Sequence, residues 1–371
     1  MSNFEPSLER LWERGSLRWQ RRSAPDAIPL TIAELDVRTP AFVAEAVTER
    51  LAERGIGYFD PAMLSERHGD LAKQLFGFTE FAWSRTCSDA LQACRTALDA
   101  LVTAGGTVAV ETPLYPDLTR LAPYPRRRLL TVPAPGAPGS SVDWAAVAST
   151  LELSDCVVLC HPHNPFATAR SVAEMDRILD LAAQARCAVV VDEVHLPLSG
   201  CPSFLSRADD HDAAVVVCTS LSKTFGSSGM RTGFLYANAA AAEYLGGLPD
   251  VALPAPDTFG VAASLACLDH GDDWLAQTRA ELEVNRVALG SFLPGLDVGV
   301  ALAPGVPGLI GWIEDDGSDR LSALLRRARV DLLPAGHYGP DAEPGWRISY
   351  GIHRGILDVV FDRLSQARRA L

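Results

Sequence analysis

Short, almost continuous apolar runs alternate with helix-length stretches through the middle of the chain. The apolar runs are Thr107–Val110, Cys156–Cys160, Ala188–Val191, Ala214–Cys218 and Gly233–Tyr236. Helical patterns such as 89 to 103 and 171 to 186 accompany them. Runs that are apolar on both faces are typical of parallel strands covered by helices on both sides. The pattern therefore predicts an α/β fold with a mostly parallel central sheet.

The rest of the chain predicts a smaller second unit. Two weaker strand patterns and three helical patterns occupy it, at 308–313, 345–350, 276–292, 319–329 and 355–370. We therefore expect a large domain over 46–255, a small α+β domain over 256–371, and an N-terminal segment, 1–45, that joins the small domain.

One further helix is predicted near the start of the large domain. Thr39 would be its N-cap, Pro40 would lie in its first turn, and Gly55 would end it.

Polar residues follow four of the predicted strands. Tyr115 follows the first run, Asn164 the second, Asp192 the third and Lys223 the fourth. Ligands of such sheets bind beyond the carboxyl ends of the strands. We therefore expect these four side chains to share one site.

Lys223 is one of only two lysines in the chain, whereas arginines are common. A primary amine can form a Schiff base and carry a proton, which a guanidinium cannot do. Ser220, Ser222 and Arg231 surround it as an anion-binding set, with glycines that allow close backbone approach. An amine beside a phosphate site is what pyridoxal phosphate requires. The alternative is a surface lysine before a Gly/Ser loop.

Asp192 closes the buried run before Glu-Val-His195. A buried carboxylate needs a cation, and the protonated pyridine nitrogen of the cofactor would supply one. A helix N-cap aspartate is the alternative reading. His195 either lies near the phenolic oxygen of the cofactor or is a structural histidine.

Three further side chains can contact a cofactor or substrate. The Asn164 amide can bond the phenolic oxygen, the Tyr115 ring can stack on the cofactor, and Arg347 can bind the substrate α-carboxylate. The alternatives are a turn asparagine, a core tyrosine and a salt-bridged structural arginine.

A phosphate site is predicted where segment 86–92 precedes a long helix. Backbone N–H groups at that helix start, around Ser88, Asp89 and Ala90, can bind phosphate. Residues 14–37, with Ala33 among them, and the loop after Tyr58 are expected to shape the substrate pocket, which Tyr58 and Asn164 also reach.

Composition narrows the class of protein. With 371 residues and a net charge of −13, the chain is not expected to bind nucleic acid or an anionic membrane. Apart from Cys156 and Cys160, which share a predicted strand, the eight cysteines show no paired spacing, so we expect reduced cysteines in the core. No cysteine or carboxylate cluster completes a metal site around His161 and His163. The N-terminus lacks a secretory apolar region, so we expect a cytoplasmic protein acting on a small molecule.

The motifs together resemble the fold-type I pyridoxal phosphate enzymes of the class I/II aminotransferase superfamily, over nearly the whole chain. Within it, the chain is similar to the cystathionine β-lyase branch of the MalY/PatB type. Five stretches carry the resemblance, namely Ile-Pro-Leu-Thr-Ile-Ala-Glu-Leu-Asp-Val, Gly57-Tyr58, Leu-Cys-His-Pro-His-Asn-Pro, Asp-Glu-Val-His and Ser-Lys-Thr-Phe. They resemble "W-V-A-D-M-D-F", Gly-Tyr, "C-N-P-H-N-P", "D-E-I-H" and "S-K-T-F-N" of that branch.

The resemblance implies a homodimer with its active site at the subunit interface, where Tyr58 reaches the phosphate of the neighbouring subunit. It also implies that Lys223 is the Schiff-base lysine, that Asp192 bonds the pyridine nitrogen, and that Arg347 binds the carboxylate. The implied reaction is α,β-elimination of an S-substituted cysteine to thiol, pyruvate and ammonia.

The chain also departs from the branch pattern. Thr86-Cys87-Ser88-Asp89-Ala90 replaces Thr-Pro-Gly-Val-Val, Asn164 is followed by Pro-Phe-Ala-Thr-Ala, and Arg231 follows the aminotransferase pattern. Transamination is therefore the chief alternative, and decarboxylation linked to oxidative deamination of an S-cysteine conjugate is another. A regulatory or scaffold role without catalysis would show itself as a colourless protein that takes up no cofactor.

Overall fold

The computed structural model describes residues 2–57, 73, 77, 80–134, 141–249, 252–339 and 342–370. Its strands are β1 (Ile28–Pro29), β2 (Trp83–Cys87), β3 (Thr107–Thr112), β4 (Arg128–Pro133), β5 (Cys156–Cys160), β6 (Ala188–Asp192), β7 (Val215–Thr219), β8 (Gly233–Ala237), β9 (Ala301–Leu302), β10 (Ile310–Glu314), β11 (Val330–Asp331), β12 (Leu333–Pro334) and β13 (Gly345–Ser349).

The α-helices of the described residues are α1 (Leu8–Glu13), α2 (Leu17–Gln20), α3 (Ala41–Glu53), α4 (Ala90–Leu101), α5 (Pro116–Leu121), α6 (Trp144–Glu152), α7 (Val172–Ala185), α8 (Leu196–Ser199), α9 (Leu205–Ala208), α10 (Ala239–Leu245), α11 (Thr258–His270), α12 (Asp272–Phe292), α13 (Arg320–Ala328) and α14 (Arg354–Arg369). Two 3-10 turns occupy Leu293–Leu296 and Ala335–His337.

Seven of the described strands form the central sheet, in the order β2-β8-β7-β6-β5-β3-β4. The pairs β7·β6, β6·β5, β5·β3 and β3·β4 are parallel, which confirms the predicted mostly parallel sheet. β8 runs antiparallel to both of its neighbours, β7 and β2. The strand predicted from the apolar run at 233–236 therefore runs opposite to its neighbours and does not belong to the parallel part of the sheet.

Burial explains why the apolar runs of the sequence predicted the central strands correctly. Every residue of β5, β6, β7 and β8 is buried, because helices cover both faces. In contrast, β2 and β4 lie at the two edges and keep partly or fully exposed positions. Their mixed patterns gave no strand prediction.

Helix ends follow local capping chemistry. Asp89 accepts a hydrogen bond from Gln92 N and begins α4, and Ser171 and Glu174 form a reciprocal capping box at the start of α7. The predicted N-cap Thr39 was wrong by one residue. Pro40 occupies that position without a side-chain bond, since a residue that lacks an N–H still fits just before the first helical turn.

A second sheet, β12-β13-β10-β9, is built from the C-terminal part of the chain. Its central pair, β10 and β13, is antiparallel and places Trp312 opposite Arg347. The short β1 pairs in parallel with β11, with Ile28 beside Val330. The predicted domain boundaries stay predictions.

Among the helices that the structure describes, none is both long enough and apolar enough to span a membrane.

Candidate active site

A cleft of about 570 Å³ opens at the carboxyl edge of the central sheet. It is bordered by the loops after β3, β5, β6 and β7, by the start of α4, by segment 31–33 and by β13. Most residues predicted from the sequence lie in its wall, namely Ala33, Asp89, Ala90, Tyr115, Asn164, Asp192, His195, Ser220, Ser222, Lys223, Arg231 and Arg347. The fold therefore gathers them at one site, as the strand-end argument predicted.

Lys223 follows β7 and keeps part of its surface open to the cleft. Burial lowers the pKa of its amine below the ordinary value, although the negative charge of Glu34 opposes this effect. Within the described part of the chain, no side chain forms a hydrogen bond or an ion pair with this amine. The amine is therefore available to a ligand and is more readily deprotonated than an ordinary lysine.

Asp192 is the last residue of β6 and is 5% exposed. Its Oδ1 accepts a 3.1 Å hydrogen bond from Val194 N. Burial raises its pKa to about 6, while that hydrogen bond and the charge of Lys223 act in the opposite direction. The following helix, α8, begins after His195, so Asp192 is not its N-cap.

His195 lies in the same wall and is buried. Burial, together with the positive charges of Lys223 and Arg347, lowers its pKa to about 3. The imidazole is therefore neutral at physiological pH, and one ring nitrogen can donate while the other accepts.

Arg347 lies in the middle of β13 and is 3% exposed. Its Nη1 donates a 3.4 Å hydrogen bond to Oδ1 of Asn164, and its Cζ lies 5.9 Å from the ring centroid of Tyr338. Arg347 has no ion-pair partner among the described residues, and its Nε is buried without a hydrogen-bond partner there. A buried guanidinium without an anion is well suited to bind the carboxylate of a ligand.

The predicted anion site is only partly free. Ser220 Oγ donates to the carbonyl oxygen of Thr232 at 2.8 Å and accepts a hydrogen bond from Ser222 N at 3.1 Å. Arg231 forms a 2.6 Å ion pair with Asp89 and remains about half exposed. Ala90 and Leu91, the first two residues of α4, line the cleft.

Two predicted residues are not in this wall. Ser88 lies beside it, and its hydroxyl donates a 3.3 Å hydrogen bond to Asp89 Oδ2. Tyr58 lies outside the described residues. Their roles stay predictions.

Reasoning from the sequence missed Asp117 and Tyr338, which also line the cleft, whereas Arg21 lies in segment 14–37, which was expected to shape the pocket. Asp117 had a weak signal, since it lies two residues beyond Tyr115 in the first turn of α5. Tyr338 stands in a stretch without a recognisable motif. It reaches the cleft only because the C-terminal part of the chain packs beside the central sheet.

The residues present fit pyridoxal phosphate. The buried Asp192 carboxylate has no ion-pair partner within 4 Å among the described residues, and a protonated pyridine nitrogen would supply one. The Lys223 amine is open to a carbonyl, the start of α4 and Arg231 are suited to a phosphate, and the ring of Tyr115 is suited to stacking.

The site brings together a lysine amine, an aspartate carboxylate and a buried guanidinium at the carboxyl edge of an α/β sheet. This set of groups is typical of an enzyme of amino acid chemistry that uses a carbonyl cofactor. The chain belongs to the aminotransferase class I and II family, whose model matches residues 25–363.

Individual relatives resemble it over nearly their full length. Cystathionine β-lyase PatB of Bacillus subtilis is 25% identical, over 98% of this chain and 99% of its own. Cystalysin of Treponema denticola, solved with pyridoxal 5'-phosphate, has a TM-score of 0.87 and 18% identity over 100% of this chain and 98% of its own. A pyridoxal-phosphate-bound C–S lyase of Staphylococcus hominis has a TM-score of 0.86 and 17% identity over 99% and 98%. These structures confirm the predicted fold.

Proposed function

We propose that this protein is a pyridoxal-phosphate-dependent C–S β-lyase. It converts an S-substituted L-cysteine and water to a thiol, pyruvate and ammonia. The observation that carries the proposal is the meeting of the Lys223 amine, the Asp192 carboxylate and the Arg347 guanidinium in one cleft. The full-length similarity to a cystathionine β-lyase supports this reaction over others of the family.

Arg347 and Asn164 orient the substrate. The guanidinium of Arg347 binds the α-carboxylate, and its hydrogen bond to Asn164 Oδ1 limits its rotation. Arg347 lies in a strand that is paired on both sides, so its backbone cannot shift easily. The substrate is thereby held in one orientation at the carboxyl edge of the sheet.

Lys223 moves the α-proton. Because burial lowers its pKa, a larger fraction of the amine is neutral near pH 7 and can accept a proton as a general base. Pyridoxal phosphate, when bound, supplies the electron-withdrawing ring that makes the α-C–H bond acidic. With the cofactor bound, the Asp192 carboxylate would pair with the ring nitrogen and favour its protonated, positively charged form. As the C–S electron pair leaves with sulfur, a double bond forms between Cα and Cβ, and the proton on Lys223 Nζ can return to the thiolate. Water then hydrolyses the released aminoacrylate to pyruvate and ammonia.

The test is to incubate the holoenzyme with cystathionine and a series of S-alkyl cysteines and to assay thiol and pyruvate together. We expect equal amounts of both products, and their loss in Lys223→Ala. The chain offers a matched control, since Lys73 is its only other lysine and Lys73→Ala should retain activity. Absence of pyruvate with every S-substituted cysteine would contradict the proposal.

Transamination is the second candidate. Arg231, within Gly-Met-Arg-Thr-Gly, and the name of the matched family favour it. In that reaction the cofactor would be converted to its amine form, and a keto acid that retains the sulfur would accumulate. The absorption of the cofactor and mass spectrometry of the products distinguish this outcome from elimination.

The proposal includes a homodimer with shared active sites that acts in the cytoplasm on cysteine S-conjugates. All eight cysteines are free thiols, as expected in a reducing compartment.

If Tyr58 serves the neighbouring subunit, mixing the inactive variants Tyr58→Phe and Lys223→Ala should restore part of the activity. Unchanged inactivity after subunit exchange would contradict shared sites.

A further inference from the structure

Arg18 is a fully buried arginine behind the wall of the cleft. It is 0% exposed and does not line the cleft itself. Its guanidinium donates to three backbone carbonyls: Nε to Pro29 O at 2.7 Å, Nη1 to Glu34 O at 2.9 Å, and Nη2 to Ser349 O at 3.3 Å. One side chain therefore fixes three separate points of the backbone.

These three points bracket the substrate side of the cleft. Pro29 and Glu34 flank segment 31–33, which lines the cleft, and Ser349 lies two residues beyond Arg347 in β13. Ser349 N also donates to Leu30 O at 2.9 Å. Arg18 thus holds the loop that carries Ala33 against the strand that carries Arg347.

Asp36 supplies the counter-charge. Its Oδ2 lies 3.4 Å from Arg18 Nη1, and its Oδ1 accepts a 3.0 Å hydrogen bond from Trp19 Nε1. Both charges are buried, and such a pair is retained at a cost in desolvation. Packing alone could be achieved by apolar residues of similar volume, so the presence of the pair points to a requirement for defined geometry.

We propose that Arg18 is a positioning residue for the substrate carboxylate, acting through segment 31–33 and Arg347. The inference rests on the proposed function only in that the substrate is an amino acid. Arg18 reaches the three carbonyls from three different nitrogens of its planar fork, whereas the three donors of a lysine share one nitrogen and cannot match this spread. Loss of this support would let the loop and β13 move relative to each other, which weakens binding of the α-carboxylate.

The first test replaces both charges together. Arg18→Met with Asp36→Asn removes the pair and keeps an acceptor for Trp19. We expect a folded protein that retains its cofactor absorption, with KM for an S-alkyl cysteine raised roughly 10- to 100-fold, the scale of effect that a misplacement of 1 Å produces. The dissociation constant of an unreactive amino acid, measured from the cofactor spectrum, should rise in parallel.

Two comparisons separate positioning from general stability. A matched buried pair, Arg170 with Glu111, lies outside the cleft wall, so Arg170→Met with Glu111→Gln should leave KM unchanged. An amine analogue that lacks the α-carboxylate does not use Arg347, so its weak binding should be the same in the wild type and in the Arg18 variant.

An unchanged amino acid dissociation constant in the folded Arg18 variant would overturn the proposal. If the double variant fails to fold, Arg18→Lys provides the test, since it keeps a charge beside Asp36 but cannot make all three hydrogen bonds. A wild-type dissociation constant in Arg18→Lys would again overturn it. Both readouts measure binding, so they remain decisive even if the enzyme transaminates rather than eliminates.

Discussion

The hydroxyl of Tyr115 donates a 2.7 Å hydrogen bond to Oδ2 of Asp117, two residues further along the chain. Asp117 also pairs with Arg120, at 3.1 Å. Burial, and then this hydrogen bond, raise the pKa of Tyr115 above its ordinary value. The phenol is therefore protonated at physiological pH, and its proton is committed to Asp117.

Tyr115→Phe should consequently retain most of the activity, because the ring that faces the cleft is preserved. Tyr115→Ala should weaken cofactor binding about 3- to 10-fold, the range expected for a stacking contact of roughly 0.5–1.5 kcal/mol. Steady-state release of thiol measures the activity of both variants, and titration of the cofactor-free proteins with pyridoxal phosphate measures their cofactor binding. A loss of activity in Tyr115→Phe as large as that in Tyr115→Ala would show that the hydroxyl itself takes part in the reaction.

Asp192→Asn should lower kcat by roughly 10²- to 10³-fold, as removal of one preorganised electrostatic contact does. The amide retains the shape of the side chain but cannot hold the ring nitrogen protonated. Steady-state release of thiol measures the effect. Asp176→Asn is the control, since Asp176 pairs with Arg207 near the surface and should leave kcat unchanged. A wild-type kcat in Asp192→Asn would exclude the assigned role.

Glu193 should make the protein less stable as the pH rises. The carboxyl is fully buried and accepts hydrogen bonds from Ser203 Oγ at 2.6 Å and Phe204 N at 2.7 Å. Burial raises its pKa from 4.5 to about 8. Below pH 4.5 the group is protonated in both states. Between pH 4.5 and 8 the unfolded chain releases the proton first, so stability is lost across this window.

Glu193→Gln should abolish that loss. Relative to the wild type, its free energy of unfolding should increase on the order of 3–5 kcal/mol between pH 4.5 and 8, at about 1.36 kcal/mol per pKa unit. Urea denaturation at several pH values measures the difference, in which the contributions of other titrating groups cancel. The exposed Glu45→Gln should show no such trend, and a constant difference for Glu193→Gln would refute the assignment.

Asp89 both caps α4 and forms an ion pair with Arg231, and the contributions of these two contacts to stability should be separable. Asp89→Ala removes the N-cap of α4 and should cost about 1 kcal/mol of the free energy of unfolding. Asp89→Asn keeps the cap but loses the ion pair with Arg231, so stability should be nearly unchanged. Asp143→Ala, at the N-cap of α6, provides the comparison for a helix start outside the cleft. Equal destabilisation by Asp89→Asn would show that the ion pair, rather than the cap, stabilises the helix.

The sequence was most informative where burial is complete. β5, β6 and β7 were visible because both of their faces are covered, and their ends located Asn164, Asp192 and Lys223 in one cleft. The sequence did not predict the direction of β8, because a buried apolar run is equally compatible with a parallel and an antiparallel strand.

For residues outside the central sheet, the sequence predicted at most a segment, 14–37, and no individual role for Arg18. Arg18 carries no signal of its own in the sequence, since its importance depends on carbonyl groups at Pro29, Glu34 and Ser349. Ser349 is distant in the sequence, and such contacts follow from tertiary packing rather than from local pattern. Asp117 does have a local signal, because a carboxylate two residues from a tyrosine is a candidate acceptor for its hydroxyl.

The antiparallel direction of β8 determines where Lys223 and Arg231 lie relative to each other. Because β8 starts at the sheet edge where β7 ends, the single loop 220–232 leaves and rejoins the sheet on the cleft side. That loop carries Lys223 near one end and Arg231 near the other. A parallel strand in this place would have required a crossover to the opposite edge, which would have separated the two residues. The ladder of β7 and β8 therefore anchors both ends of the loop, so that Lys223 and Arg231 lie in the wall of the same cleft.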